Sequence, residues 1–519
     1  MKIQVRGSVV VPEGLLPNLE SLLATHQWAI PKVGAGTPAR EGYPVYHKLA
    51  DDGGVLIPRY SPIIKELLAH KDLIIKTEPS DIGGNHYEWN PARPMRDKQK
   101  PGAAAAEAAL RKKRGCLIIG DTGSGKTVVG MRMMYQLQAR RTLILVDQLD
   151  IARQWAERLR EFVPNVVPQF LLPADEARKI MRYVDRKLGP ARGKLNETSV
   201  TIGTAQSLYA SAKYTVRNPF ECELLIPDEV HVFGAPTFMG ALFKVNYGYS
   251  CGLTATDDRK DELDWIFRQC LGTERVEFEG EVMDPVVYRL SAPGCGLQEE
   301  EWRMAWCDLN RGMTYLAACR ECAFFELFPQ ACGGNLPTMR SKFKGRPPKV
   351  KWTRLNRGAL VTALTNDDRY VRWCMGRITE MVQKKRSIFI FGEGRKFLIK
   401  MYERALEIWG EANVGLFLGK QKVVGETNYS HQRDSALEKP ITFVTYGVAR
   451  KALDVEQKDC AFFATPVSDG RQAIGRVRRS KKGKVQPIVA VAVPALGTFK
   501  RSWVRLETQI RERGWEIKA

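Results

Sequence analysis

The stretch Gly120-Asp121-Thr122-Gly123-Ser124-Gly125-Lys126-Thr127 follows the apolar run Cys116-Leu117-Ile118-Ile119 and precedes a helix-compatible segment over 128–138. Strand, glycine-rich turn and helix in that order form the opening of a βα unit. Glycines at 120, 123 and 125 let the chain bend tightly and turn several backbone N–H groups toward one point with no Cβ in the way. That geometry is what a polyphosphate requires. Lys126 then sets an ammonium against the β- and γ-phosphates, Thr127 offers a hydroxyl to Mg²⁺, and the helix that starts there adds the positive end of its dipole. Gly120, Thr122, Gly123, Ser124, Gly125, Lys126 and Thr127 are therefore expected to hold ATP.

Downstream, apolar strands alternate with helices in the manner of a parallel sheet, with strands expected at 142–146, 199–203, 224–226 and 250–253. An open sheet of this kind presents its ligand crevice at the carboxyl ends of its strands. Asp228-Glu229-Val230-His231 stands at one such end. An acidic residue placed there can hold the Mg²⁺ shell and its neighbour can polarise an attacking water, so Asp228 is expected as the metal carboxylate and Glu229 as the general base. Upstream, Gln99 precedes an alanine-rich helix expected over 103–111. Its amide donates and accepts at once, as the edge of adenine requires, which makes it a candidate base reader. A second alternating region has strands expected at 387–391, 414–418, 441–445, 461–464 and 488–493, and no phosphate loop of its own. It contains Gln472-Ala473-Ile474-Gly475-Arg476-Val477-Arg478-Arg479, where Arg476 and Arg479 share a helical face and could both meet a γ-phosphate. Arg478 is expected to point elsewhere, toward solvent or a polymer.

The chain has 519 residues, enough for about three or four domains, and a formal net charge of +22 from 80 Lys+Arg against 58 Asp+Glu. Such an excess argues for a polyanionic partner, and nucleic acid is the leading candidate. The start lacks the apolar core of a signal peptide and no stretch approaches the roughly 18–20 apolar residues of a membrane span, so an intracellular, cytoplasmic protein is expected. Eleven cysteines, an odd number scattered in apolar surroundings, read as reduced core thiols. Residues 1–92 read as a small α+β accessory domain and 283–365 as a bridging segment. Within the latter, Cys319 and Cys322 lie on a helix expected over 315–328, with no second close pair to complete a zinc site. The run from 340 to 357 has eight basic residues, no acidic one, and the aromatics Phe343 and Trp352. It is expected as a phosphate-gripping loop that uses Lys342, Lys344, Arg346, Lys349 and Lys351.

Asp228-Glu229-Val230-His231, Gly252-Leu253-Thr254-Ala255-Thr256 and the 472–479 stretch resemble, in order, motifs II, III and VI of superfamily 2 helicases. The nearest likeness is to phage UvsW-type branch-migration helicases and their XPB and RadD-like relatives, partly through Val55-Leu56-Ile57-Pro58-Arg59. The sequence departs from the pattern at Lys98, Pro227 and Asp257. The resemblance implies two RecA-like parallel-sheet domains, at 93–282 and 366–519, with the N-terminal α+β domain beside them. It implies that Gln99 recognises adenine, that Gly447 and Asp454 belong to a motif V at 445–454, and that Gln148, Thr204 and Gln206 lie in strand-binding motifs. The activity implied is an ATP-dependent DNA helicase or translocase that remodels branched or duplex DNA in replication, recombination or repair. The alternatives are a duplex translocase that does not separate strands, an RNA helicase, or a basic binding protein with no catalysis.

Overall fold

The computed structural model describes residues 2–4, 8–11, 28–29, 43–44, 46–48, 55–64, 74–76, 86–121, 123–191, 199–255, 264–278, 280, 282–297, 303–307, 350–355, 357–418, 433–449, 457–478 and 484–518. The chain divides into two compact units, Met1–Glu281 and Val282–Ala519. Each is built on a seven-stranded sheet whose pairings are all parallel.

The first sheet contains β1 (Gly115–Ile119), β2 (Thr142–Val146), β3 (Gln169–Leu171), β4 (Val200–Thr204), β5 (Phe220–Pro227), β6 (Val245–Thr254) and β7 (Glu274–Glu277), in spatial order β3-β4-β2-β5-β6-β1-β7. Every residue of β2 is buried, because helices cover both faces of a parallel sheet; this is why its sequence is a continuous apolar run without alternation. The expected strands are all present. The edge strands β3 and β7 were not expected, since a short, half-exposed edge strand has no such run.

Three helices position the site. α1 (Gln99–Lys113) precedes β1 and ends in Arg111, Lys112 and Lys113, which favour the negative end of its dipole. α2 (Lys126–Leu137) leaves the phosphate loop, and α3 (Leu149–Phe162) follows β2. In α3 the buried residues Ile151, Ala152, Trp155, Ala156 and Leu159 recur at helical spacing, so one face enters the core and carries Trp155 with it. The described part of the N-terminal segment packs on this same unit. Val55, Leu56, Ile57, Ile63 and Ile64 share a core with Leu117, Leu143 and Leu145, and Arg59 Nη1 donates to the Gly248 carbonyl at 2.9 Å.

The second sheet contains β8 (Val286–Ala292), β9 (Ile388–Gly392), β10 (Val414–Phe417), β11 (Ile441–Thr445), β12 (Cys460–Phe463), β13 (Ile488–Pro494) and β14 (Ile517–Lys518), in order β10-β11-β9-β12-β13-β8-β14. All five expected strands are present. β8 lies in the stretch that the sequence placed in a bridging segment; it pairs with β13 along its whole length, while the two-residue β14 covers little of its other side. Polar Arg289 and Ser291 are tolerated in β8 for that reason, and they hide its strand character. Phe389 and Phe391 bury on one face of the sheet and Ile390 and Phe462 on the other. Each such side chain contributes about 1.5–3 kcal/mol when fully buried. Arg303–Cys307 and Val350–Leu355 form a separate antiparallel pair.

At the amino ends of the second sheet the Lys458 side chain is almost fully enclosed, at 1% exposure. Its ammonium donates to the carbonyls of Ile388, Lys439 and Pro440 and to Thr442 Oγ1, and lies 5.0 Å from the Phe389 ring centre. Among the described residues Cys116, Cys222, Cys251, Cys270, Cys374 and Cys460 are buried thiols, in keeping with reduced core cysteines. Cys319, Cys322 and the helix expected over 315–328 lie outside the described residues. No described helix is long and apolar enough to cross a membrane.

Candidate nucleotide-binding site

Parallel register sets the carboxyl ends of three strands side by side. Thr254 of β6 pairs with Ile119 of β1, and Leu253 of β6 bridges to Asp228, the residue after β5. The phosphate loop, the end of β6 and the acidic pair therefore share one rim of the sheet. Gly120 N donates to the Thr254 carbonyl at 3.2 Å, and Asp228 N donates to the Leu145 carbonyl at 2.8 Å, which fixes both turns to neighbouring strands.

Within the loop, Gly123 and Gly125 have φ of 89° and 96°, values that an L side chain resists. At Gly125 there is a second reason for glycine, since a Cβ would stand 1.9 Å from Gln99 Nε2. Gln99 is buried against the loop: its Nε2 donates to the Ser124 carbonyl at 3.2 Å and its Oε1 accepts from Arg96 N at 3.0 Å. Lys126 Nζ lies inside the loop, donating to the Gly120 carbonyl at 2.6 Å and the Asp121 carbonyl at 3.2 Å. Ser124 Oγ is buried there and has no hydrogen-bond partner among the described residues. A buried cation and a buried hydroxyl with no described partner, side by side in a glycine-rich turn, suit an anion with several oxygens.

Asp228 is the most perturbed group on this rim. Burial, at 8% exposure, and then the adjacent Glu229 carboxylate push its carboxyl up to about 6. The Trp155 indole, the Lys126 charge and the Glu229 N–H act in the other direction. Trp155 Nε1 donates to Asp228 Oδ2 at 2.7 Å and Glu229 N to Oδ1 at 2.9 Å. Glu229 has φ of 55°, a left-handed conformation that a non-glycine residue adopts at a cost and that is common at functional turns. Its Oε2 lies 3.3 Å from His231 Nδ1. Trp155 is the site residue that sequence reasoning missed. Its amphipathic helix marks it as buried, but nothing local names its partner.

The donor set suits a hard divalent cation, which prefers oxygen ligands and keeps several waters. Asp228 and the half-buried Thr127 would hold Mg²⁺ here, and a cation would relieve the repulsion between Asp228 and Glu229. Among the described residues no three His, Cys, Asp or Glu side chains lie together, so its remaining ligands would be phosphate and water oxygens.

The strand-binding candidates lie at the ends of β2 and β4. Thr204 is buried and caps the helix α4 (Ala205–Ala210), its Oγ1 accepting from Ser207 N at 3.1 Å. Gln206 Nε2 donates to the Asp147 carbonyl at 3.1 Å, and Gln148 stands half-buried before α3. In the second unit Gly447 is exposed, with open space where a Cβ would go, and follows Tyr446, which stacks on Phe391. Arg476 is buried just after the helix α5 (Arg471–Gly475). Arg478 departs from expectation. It is enclosed and paired with Asp284 at 3.1 Å, because the chain turns after α5 and directs it onto the segment before β8 and onto Trp515. Lys351 lies not in a loop, as expected of the 340–357 run, but in the strand Val350–Leu355, because that stretch pairs with the distant Arg303–Cys307. Thr122, Lys342, Lys344, Arg346, Lys349, Asp454 and Arg479 lie outside the described residues.

Residues 93–259 match the family model described as type III restriction enzyme, res subunit. The chain is similar to the DNA 3'-5' translocase XPB2 of Sulfurisphaera tokodaii, 29% identical over 199 residues, which is 38% of this chain and 36% of the relative. It is also similar to a protein of Acanthamoeba polyphaga mimivirus with the provisional name ATP-dependent RNA helicase L396, 23% identical over 389 residues, or 75% of this chain and 62% of the relative. A third similarity is to the provisionally named helicase D10 of Escherichia phage T5, 24% identical over 206 residues, 38% of this chain and 40% of the relative. The matches bear out the resemblance to superfamily 2 DNA helicases, the XPB type among them. The chain spans less than two thirds of the length of each of these relatives.

Proposed function

We propose that this chain, similar to superfamily 2 helicases in its phosphate loop, its acidic pair and its family match, hydrolyses ATP and uses the energy to move along or remodel DNA. The observation that carries this reading is the shared rim on which Lys126, the unsatisfied Ser124 Oγ and the Trp155-held Asp228 meet next to Glu229. Glu229 takes a proton from a water as that water's oxygen bonds to the γ-phosphorus; the bond from the γ-phosphorus to the bridging oxygen breaks, and ADP leaves with that oxygen. Lys126 and the loop N–H groups orient the phosphates, and Mg²⁺, which Asp228 and Thr127 would hold, would neutralise phosphate charge. The role of Gln99 toward adenine, and those of Arg476 and Arg479 toward the γ-phosphate, are part of the same proposal.

DNA is the proposed polymer, and branched DNA its preferred form. The net charge of +22 and the basic run over 340–357 support many phosphate contacts, and a relative that is a DNA translocase supports DNA. RNA is the second reading, favoured by the RNA-helicase name of the mimiviral relative. The test compares ATPase stimulation by single-stranded, duplex, forked and four-way DNA and by RNA of equal length, with strand displacement measured beside it. Lys126→Ala is expected to lose both ATP binding and hydrolysis, whereas Glu229→Gln should bind ATP and fail to cleave it. Equal loss of binding in both variants would remove these roles, and stimulation by RNA alone would replace DNA as the polymer.

A further inference from the structure

The turn that bears Arg476 is tied to two distant segments of its own unit. After α5, Arg476 N donates to the Ala473 carbonyl at 3.2 Å and Val477 N to the Ile474 carbonyl at 3.1 Å. The next residue, Arg478, is 5% exposed. Its carbonyl accepts from Met283 N at 2.7 Å, its Nε donates to the Met283 carbonyl at 3.3 Å, and its Nη2 donates to Asp284 Oδ1 at 3.1 Å. Its guanidinium also lies over the Trp515 ring, 4.5 Å from the centroid, and Arg513 stands 5.4 Å from the same ring. Met283 and Asp284 lead into β8, and Trp515 leads into β14, the strand paired with β8 at Val287–Ile517 and Tyr288–Lys518. Trp515 also packs in one apolar cluster with Ala473, Ile474 and Val477.

One buried side chain therefore joins three segments. A guanidinium suits this because its planar fork can hold a carbonyl and a carboxylate while its face stacks on an indole; a lysine ammonium matches only the charge. At 5% exposure, an arginine engaged in this way offers little surface to a phosphate. We infer that Arg478 is a positioning residue, which locks the turn bearing Arg476 to the segment where the second unit begins and to β14, and so limits where the Arg476 guanidinium can go. The inference rests on the proposed role of Arg476 in ATP turnover.

The full chain tests this in two measurements. Arg478→Met keeps the apolar stem against Trp515 and removes the fork, and Arg478→Lys keeps the charge. In saturating nucleic acid, Arg478→Met should lower kcat by about 10- to 100-fold, the effect of a misplaced group, while KM for ATP stays within about twofold. Arg478→Lys should fall between Met and the parent. In thermal unfolding, Asp284→Asn should lower Tm in the parent and have no further effect in Arg478→Met. A folded Arg478→Met with kcat within about twofold of the parent, or additive Tm shifts, overturns the inference. If Arg478→Met does not fold, the same measurements on Arg478→Lys decide. If the parent itself shows no nucleic-acid-stimulated hydrolysis, the proposed function fails instead, and the Tm cycle alone decides whether Arg478 acts as a clamp.

Discussion

Asp228, the carboxylate proposed to hold Mg²⁺, shows what such a group requires before any metal arrives. A buried carboxylate is costly, and this one has a second carboxylate next to it; the Trp155 indole and the Glu229 N–H offset part of that cost. Trp155→Phe keeps an aromatic ring and deletes the donor, with the loss of the indole's five-membered ring adding a small cavity at this buried position. We expect it to lower stability by about 1.5–3 kcal/mol, the worth of a hydrogen bond to a charged group, and to slow turnover while ATP still binds. Unfolding curves and a nucleotide titration check this, and an unchanged Tm would show that the indole does not hold the carboxylate. Gly125 provides a second test at this scale. Gly125→Ala must adopt φ near 96° and pushes into Gln99, so nucleotide binding should be lost, even though the strained backbone itself costs only about 1–3 kcal/mol. Restored binding in a Gly125→Ala, Gln99→Ala double variant would show that the clash, not the backbone conformation, sets the requirement.

At the scale of elements, the short helix α4 shows how a polar residue can serve the fold at a position assigned to polymer contact. Thr204 uses its hydroxyl on Ser207 N, and Gln206 ties the same helix to the Asp147 carbonyl beyond β2. Thr204→Ala should cost about 1 kcal/mol through loss of the cap, and Thr204→Ser should recover it. If instead Thr204→Ala leaves Tm unchanged and weakens nucleic-acid binding, the hydroxyl belongs to the polymer. For the basic run, replacing Lys342, Lys344, Arg346, Lys349 and Lys351 together by alanine should flatten the salt dependence of DNA affinity, by about 0.7–0.9 in log–log slope for each phosphate no longer neutralised. An unchanged slope in a salt titration would remove this run from the interface.

At the scale of the whole molecule, Lys458 makes the second unit sensitive to pH. Burial pulls its ammonium down from the ordinary 10.5 to about 7, against the opposing pull of Asp459. The unfolded chain therefore holds this proton over a range in which the folded chain releases it. The penalty is full below about 7 and disappears above 10.5, so this group makes stability rise with pH between those limits. The slope is at most one proton, about 1.4 kcal/mol per pH unit. Lys458→Met should remove that rise while also taking one donor from each of the Lys439 and Pro440 carbonyls and from the Thr442 hydroxyl. Unfolding measured from pH 6 to pH 10 on both proteins checks the sign, and parallel curves would show that Lys458 keeps its proton in the fold.

The sequence by itself determined the phosphate loop, the acidic pair, the central strands of both sheets and the α/β class. These are local properties: glycines that allow left-handed turns, and apolar runs long enough to be covered on both faces. Only the tertiary structure decided which groups meet. Trp155 and Asp228 are 73 residues apart, Gln99 and Ser124 are 25 apart, and Arg478 reaches Asp284 across 194. Hydrophobic periodicity tells which face of an element is buried but not what it is buried against, and it cannot distinguish an arginine that meets solvent from one enclosed by an indole and a carboxylate. β8 was hidden by its polar Arg289 and Ser291, which only its position in the sheet makes tolerable. Its place between β13 and β14 follows from strand order, and strand order is settled by the packing of distant segments, not by the residues of the strand.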